Sequence, residues 1–173
     1  MINKILTIPK YRLPFDNGVT PIENNVLIKY NQYMLYRPIN ENFKMFYRIV
    51  PYLVLTDNDR YLVYNSDGHY CFNPKGLFYI KEGIIYDPVK SIVKTYIRKN
   101  NIKTKSVKCY GLIKSILKKP NDIAILYVAN IEDINIENAE WMTLDDLIDK
   151  CRKFDAFGIE YINHLVIQKI KRR

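Results

Sequence analysis

Tyr47-Arg-Ile-Val-Pro-Tyr-Leu-Val-Leu55 and Arg60-Tyr-Leu-Val-Tyr64 are two apolar runs separated by the polar segment Asp57-Asn58-Asp59. Runs of this length, rich in β-branched and aromatic residues and joined by turn formers, read as the strands of a hairpin. Ser66-Asp67-Gly68 is a second turn, and strand-like Tyr70-Cys71-Phe72 and Leu77-Phe78-Tyr79-Ile80 follow it. The pattern then changes. Asp87-Pro88 opens a helix, because Asp caps well and Pro suits the first helical position. Val89, Ile92, Val93, Tyr96 and Ile97 recur at helical spacing and define its buried face, and Asn100-Asn101 ends it. Lys90, Lys94 and Arg98 recur every four residues, so they share a different stripe.

Downstream, residues 107–117 and 123–131 read as strands. Thr143-Leu-Asp-Asp146 has the form of a capping box, with Asp in place of the usual Glu or Gln, and starts a short helix reaching about Cys151. Asp155 is positioned to cap a last helix whose apolar positions include Phe157, Tyr161, Ile162, Leu165, Val166 and Ile170. Upstream, Pro14, Asp16-Asn17-Gly18 and Pro21 signal turns, and Val26-Leu-Ile-Lys-Tyr30 reads as a short strand. Strands, helix, strands and helices in that order predict an α/β chain, an α+β sandwich around a mixed sheet. Residues 1–45 are expected to form an N-terminal extension packed on a domain of residues 46–173.

With 173 residues, 48% of them hydrophobic and 26% charged, the chain has the composition of a folded domain with its own core. No apolar run approaches the roughly 20 residues of a membrane span. The N-terminus lacks the apolar stretch and small-residue cleavage site of a signal peptide, so a cytoplasmic location is expected. Cys71, Cys109 and Cys151 are far apart, which argues against a disulfide framework. Cys71 and His69 are close in sequence, but no neighbours complete a zinc site, and no metal is expected. The 15 tyrosines accompany many Lys, Asn and Ile residues. All have A/T-rich codons, so genomic bias of the kind found in low-GC bacteria and their phages accounts for them.

Charge is unevenly placed. The net charge is +9, yet residues 88–121 alone hold ten basic residues and no acid, leaving 17 basic against 18 acidic residues elsewhere. Residues 132–149 hold seven acids and no base. A polarised molecule steers charged partners. A solvated lysine-rich surface is the plainer alternative.

The order of elements, together with several residues, resembles the Nudix hydrolases over about residues 46–168. The resemblance is to a bacterial branch in which an Ile-Pro-Tyr strand precedes the motif; here that strand contains Val50-Pro-Tyr52. Arg60-Tyr-Leu-Val-Tyr64, Gly111-Leu-Ile113, residues 123–131 and Glu140-Trp141-Met-Thr-Leu-Asp-Asp-Leu147 match the elements around it. The fold implied is a Nudix-like mixed β-sheet flanked by helices. The family's loop–helix–loop runs from a Gly, six residues on to a Glu, then to Arg-Glu and a Glu-Glu pair before a closing Gly. Its carboxylates hold Mg²⁺ or a similar ion against a diphosphate, and the ion helps generate the attacking hydroxide.

Gly76 and Glu82 keep the first spacing. A strict count from Glu82 then puts Lys90 at the Arg position, Ser91 at the next Glu and Lys94-Thr95 at the Glu-Glu pair. A four-residue shift, with Asn101-Ile102 closing the motif, puts Lys94-Thr95 at Arg-Glu and Arg98-Lys99 at the paired acids. In either register the helix lacks an acid and carries a cation where a metal ligand belongs. Such a cation repels a divalent ion by about 1 to several kcal/mol per pair at intermediate dielectric.

The resemblance, so altered, implies a non-catalytic Nudix-fold binding protein rather than a hydrolase. Lys90, Lys94, Arg98 and Lys99 are the expected contacts, extended by Lys103, Lys105 and Lys108. The expected partner is an acidic protein or a phosphate-containing ligand, with nucleic acid as a further candidate. A working hydrolase of a nucleoside diphosphate-linked substrate is the alternative. It would use Mg²⁺ with Glu82 and Asp87, and Asp155 or Glu160 would approach from the last helix. His164 and Trp141 are expected to be packing residues.

Overall fold

A computed structural model describes residues 4–13, 15–41, 43–75, 77, 87–117, 121–132 and 134–172. Its centre is the predicted hairpin. Strand β4 (Phe46–Asp57) is buried along most of its length and turns at Asn58, whose φ is 53°, into β5 (Arg60–Ser66). Asn tolerates this left-handed conformation better than most residues. The pair is antiparallel only at Thr56↔Tyr61 and Asp57↔Arg60; beyond them β5 turns away to join β6 (His69–Cys71) and β9 (Ala139–Thr143).

On its other edge β4 runs parallel to β8 (Asp122–Ile131), from Arg48↔Asp122 to Thr56↔Asn130. The sheet continues outward through β7 (Thr104–Lys114) to β2 (Gly18–Pro21), and on the opposite side through β1 (Lys4–Pro9) to β3 (Leu35–Pro38). Every pairing in this sheet except β4 with β8 is antiparallel. The first 45 residues thus contribute three strands to the same sheet.

Pro51 sits in the middle of β4, a place where a missing N–H usually breaks a ladder. Here its carbonyl faces the edge left open between β1 and β5. Asn73 fills that opening, accepting from Leu53 N–H at 2.9 Å and donating to Pro51 O at 3.1 Å. The amide side chain therefore substitutes for a neighbouring strand at this point of the edge.

Period-two alternation sends the side chains of β4 and β8 into two cores. Ile49, Leu53, Leu55, Ile123, Ile125, Tyr127 and Ala129 face Val89 and Val93 of helix α2 (Pro88–Lys99) and Leu27 of helix α1 (Asn24–Asn31). Tyr52, Val54, Ala124 and Leu126 face Leu147 of α3 (Leu144–Lys150) and Phe157, Tyr161 and Ile162 of α4 (Ala156–Lys171). Burying an aliphatic or aromatic side chain of this size contributes roughly 1.5–3 kcal/mol. Two well-filled layers therefore hold α2 and α4 on opposite faces of the sheet.

One expected strand is a helix. Residues 26–30 lie within α1, where Leu27 is buried and Tyr30 packs on the same core, edge-on to Phe15 at 6.3 Å. A short apolar run suits either structure, and here the i, i+3 spacing of Leu27 and Tyr30 supplies the buried side. The expected strand at residues 77–80 falls mostly outside the described residues.

Candidate functional site

Helix α2 begins as its sequence predicts. The Asp87 carboxylate accepts from Lys90 N–H at 3.1 Å, and Pro88 occupies the first turn. It ends in a Schellman arrangement: Asn101 is left-handed at φ 52°, its N–H reaches Arg98 O at 3.2 Å, and Ile102 N–H reaches Ile97 O at 3.0 Å. Val89 and Val93 are turned into the core, which leaves the lysine stripe outside.

Between α2 and β7 lies a cleft of about 360 Å³ lined by Glu23, Lys90, Val93, Lys94, Val107, Lys108, Cys109 and Tyr127. Lys90, Lys94 and Lys108 make no ion pair with a carboxylate among the described residues. Glu23, immediately before α1, is the carboxylate on the wall. Tyr127 is 2% exposed, and the Cys109 thiol is the hydrogen-bonding neighbour of its hydroxyl. Burial pushes its pKa well up, with the neighbouring Cys109 and Asp87 adding to the shift, so the phenol stays protonated. Burial likewise raises the Cys109 thiol to about 11, and an inert thiol rather than a thiolate lines the floor.

The remaining expected contacts are elsewhere. Arg98 and Lys99 are exposed at the far end of α2. Lys103 pairs with Glu132 at 3.7 Å, and Lys105 reaches the buried Asp57 carboxylate at 3.1 Å, which Arg60 also holds at 2.8 Å. Gly76 and Glu82 lie outside the described residues. Asp155 and Glu160 do not approach α2, since α4 packs on the other face of the sheet. The Asp155 carboxylate accepts from Tyr52, and Glu160 accepts from Ser115 Oγ at 2.9 Å. Asp155 occupies the residue before α4 without capping it through its side chain.

His164 and Trp141 pack as expected. His164 Nε2 is 2.7 Å from Tyr110 Oη, and Trp141 Nε1 donates to Ile134 O at 3.3 Å. The three cysteines are free thiols. Among the described residues no three His, Cys, Asp or Glu side chains gather as a metal site would require, and no helix is long and apolar enough to cross a membrane.

A second cavity, about 440 Å³, opens beside the unpaired edge of β4, lined by Arg48, Tyr52, Asn73, Asp122, Asp155 and Phe157 among others. Its polar groups already satisfy one another through Arg48–Asp122, Tyr52–Asp155 and the Asn73 bonds to β4. The α2–β7 cleft differs in that Lys90 and Lys94 line it without a carboxylate ion-pair partner among the described residues. Sequence reading passed over Glu23, Cys109 and Tyr127. For Tyr127 a signal was present: it interrupts the inward row Ile123, Ile125, Ala129 and Ile131 with a hydroxyl that needs a partner.

No family model matches the chain, and no curated protein does. Among solved structures it is similar to the crystal structure of Tm1382, "a putative Nudix hydrolase", with a TM-score of 0.72 at 18% sequence identity. The match covers 97% of this chain and 100% of that one. The chain has a Nudix-like fold, a mixed sheet flanked by helices.

Proposed function

We propose that this chain is a Nudix-fold binding protein that does not hydrolyse its ligand, and that the basic face of α2 engages an acidic or phosphorylated partner. The observation that carries this reading is the outward stripe of α2, where Lys90 and Lys94 line the cleft without carboxylate ion-pair partners among the described residues. Ammonium groups attract phosphate and repel a divalent cation. The end of the helix supports the second of the two registers. Asn101 adopts the left-handed conformation that a closing Gly takes readily, which sets Arg98-Lys99 at the positions of the family's paired acids. That register leaves α2 with no carboxylate to offer an ion.

The test is thermal unfolding with inorganic phosphate and a panel of nucleotides, with and without Mg²⁺ or Mn²⁺, alongside assay of released phosphate and nucleoside monophosphate. Stabilisation without product is expected. Metal-dependent turnover that Glu82→Gln abolishes without unfolding the protein would overturn the reading. For a macromolecular partner, a Lys94→Glu/Arg98→Glu double variant is the control and should lose capture.

A further inference from the structure

We propose that one end of the sheet docks the protein on an anionic lipid bilayer, with Tyr11, Met45, Ile116 and Leu117 entering the headgroup layer amid cations that face the lipid phosphates. This surface does not involve the α2 stripe, and it goes beyond the binding reading above.

Strand direction gathers these residues. β4 and β8 begin at this end, at Phe46 and Asp122, and β7 finishes there at Lys114, opposite the start of β2 at Gly18. β1 finishes there too. Pro9 pairs with Phe46, and the turn Lys10–Arg12 follows, with Lys10 N–H bonded to Met45 O at 3.0 Å. Tyr11, Met45, Ile116 and Leu117 therefore project from the same end on three separate loops, and each is 65–75% exposed. Among the described residues, Ile170 is the other large hydrophobic side chain this open. Exposed apolar residues scattered singly are ordinary, but a group of them at one end marks an interaction surface.

The charge at this end is the second observation. Lys10 Nζ donates to Asn121 Oδ1 at 2.7 Å, and Lys114 Nζ donates to Phe15 O at 3.0 Å. Both ammonium groups lie 5.4 Å from the centre of the Tyr47 ring. The Arg12 guanidinium sits 4.2 Å from the Tyr33 ring and 4.9 Å from that of Tyr11. Neutral acceptors and ring faces orient these cations without cancelling their charge. None of the three meets a carboxylate within ion-pair distance among the described residues. Lys44, exposed beside Met45, adds to the field. Against them stand the exposed Asp16, Glu160, which accepts from Ser115, and Asp122, which Arg48 pairs.

Positive charge around protruding apolar tips is the complement of an anionic bilayer. Each cation near such a surface strengthens adsorption, and tyrosines settle at headgroup level. Nucleic acid fits less well. Three of the four tips are aliphatic, Tyr47 is buried, and Arg12 covers the Tyr33 face that a base would need.

The experiment is flotation of the full chain with vesicles of phosphatidylcholine alone and of equal parts phosphatidylcholine and phosphatidylglycerol, at low and high salt. Wild-type protein should float with the anionic vesicles, less so at high salt, and stay behind with phosphatidylcholine. Ile116→Ser/Leu117→Ser should weaken partitioning by about tenfold or more, because two apolar side chains no longer leave water. Arg12→Gln should weaken it by about fivefold, the effect of one cation at such a surface. These positions are exposed, so melting temperatures should match the wild type, and Tyr11→Ser carries the test if either variant melts early. Ile170→Ser/Arg172→Gln removes an exposed apolar side chain and a charge at the end of α4, where Arg172 acts on Tyr61 beside the far end of β4. That variant should float as the wild type does. Anionic vesicles that leave the wild type in solution would overturn the proposal, as would flotation that the Ile116/Leu117 and Arg12 variants retain in full. Tighter binding of oligothymidylate, weakened by Arg12→Gln, would assign this end to nucleic acid and overturn it as well. Each of these outcomes leaves the α2 binding reading to its own test.

Discussion

The phenolic hydroxyl of Tyr52, in the centre of β4, donates to the Asp155 carboxylate at 2.8 Å, tying the sheet to the residue that precedes α4. Burial, followed by the charge of Asp155, pushes the Tyr52 pKa well above its ordinary value, so the group remains a donor. Phe157 packs edge-on to the same ring at 5.8 Å. One aromatic side chain therefore fixes both the start of α4 and the packing of its first turn.

Tyr52→Phe keeps the packing and removes the bond. Asp155 is only half-buried, so water compensates in part, and the expected loss is about 1–2 kcal/mol. Urea denaturation of the two proteins checks this. Equal midpoints would show that the bond contributes nothing net.

Asp57 ends β4 with its side chain shared between Arg60 at 2.8 Å and Lys105 at 3.1 Å. The hydrogen bond from Arg60, then that from Lys105, holds its carboxyl below the usual carboxylate range. A depressed folded-state pKa stabilises the protein above the unfolded value, and this contribution is lost as pH falls through the folded pKa. Asp57→Asn should therefore lower Tm at neutral pH and reduce the further fall in Tm on acidification below about pH 4. An unchanged acid limb in Asp57→Asn would refute the assignment.

Gly111 lies at the irregularity in β7 where β2 crosses closest. A Cβ there would meet Thr20 O at 2.1 Å and Pro21 Cα at 2.9 Å, both backbone atoms of β2. Neither can step aside without moving the strand, so Gly111→Ala should cost about 3 kcal/mol or more. Soluble yield and melting temperature read the effect, and a variant that melts with the wild type would contradict this packing.

His164 is buried beside Tyr110 on α4, and its pKa is lowered, first by burial and then by Lys171. Above about pH 6.5 the imidazole is neutral in both folded and unfolded chains. As pH falls from there through the lowered folded value, the unfolded chain takes up the proton first, so the folded state loses stability. His164→Gln should flatten Tm between pH 7 and pH 5 relative to the wild type. Parallel curves for the two proteins would show that the ring titrates freely.

Local chemistry in the sequence determined a good deal of this molecule. The Asp57-Asn58-Asp59 turn, the Asp87 cap, the closing Asn101 and the Thr143–Asp146 capping box all act within a few residues, and all are found as read. The same holds for the inward face of α2 and for α4 through Leu165, because helical periodicity is itself a short-range property, whereas Ile170 at the end of the α4 series is exposed. Contacts between distant segments were decided by the tertiary structure. Residues 26–30 are helical because a core was available for Leu27 and Tyr30, and the Asp155 carboxylate bonds a phenol 103 positions away instead of capping its own helix. The evenly spaced lysines of 88–121 are similarly divided. β7 turns Lys108 toward the face that carries α4, away from the Lys90 and Lys94 stripe, while acids from β4 and from the segment after β8 engage Lys105 and Lys103. Sequence spacing specifies which stripe of a helix a charge occupies, but the partner it meets depends on how strands pair across the sheet.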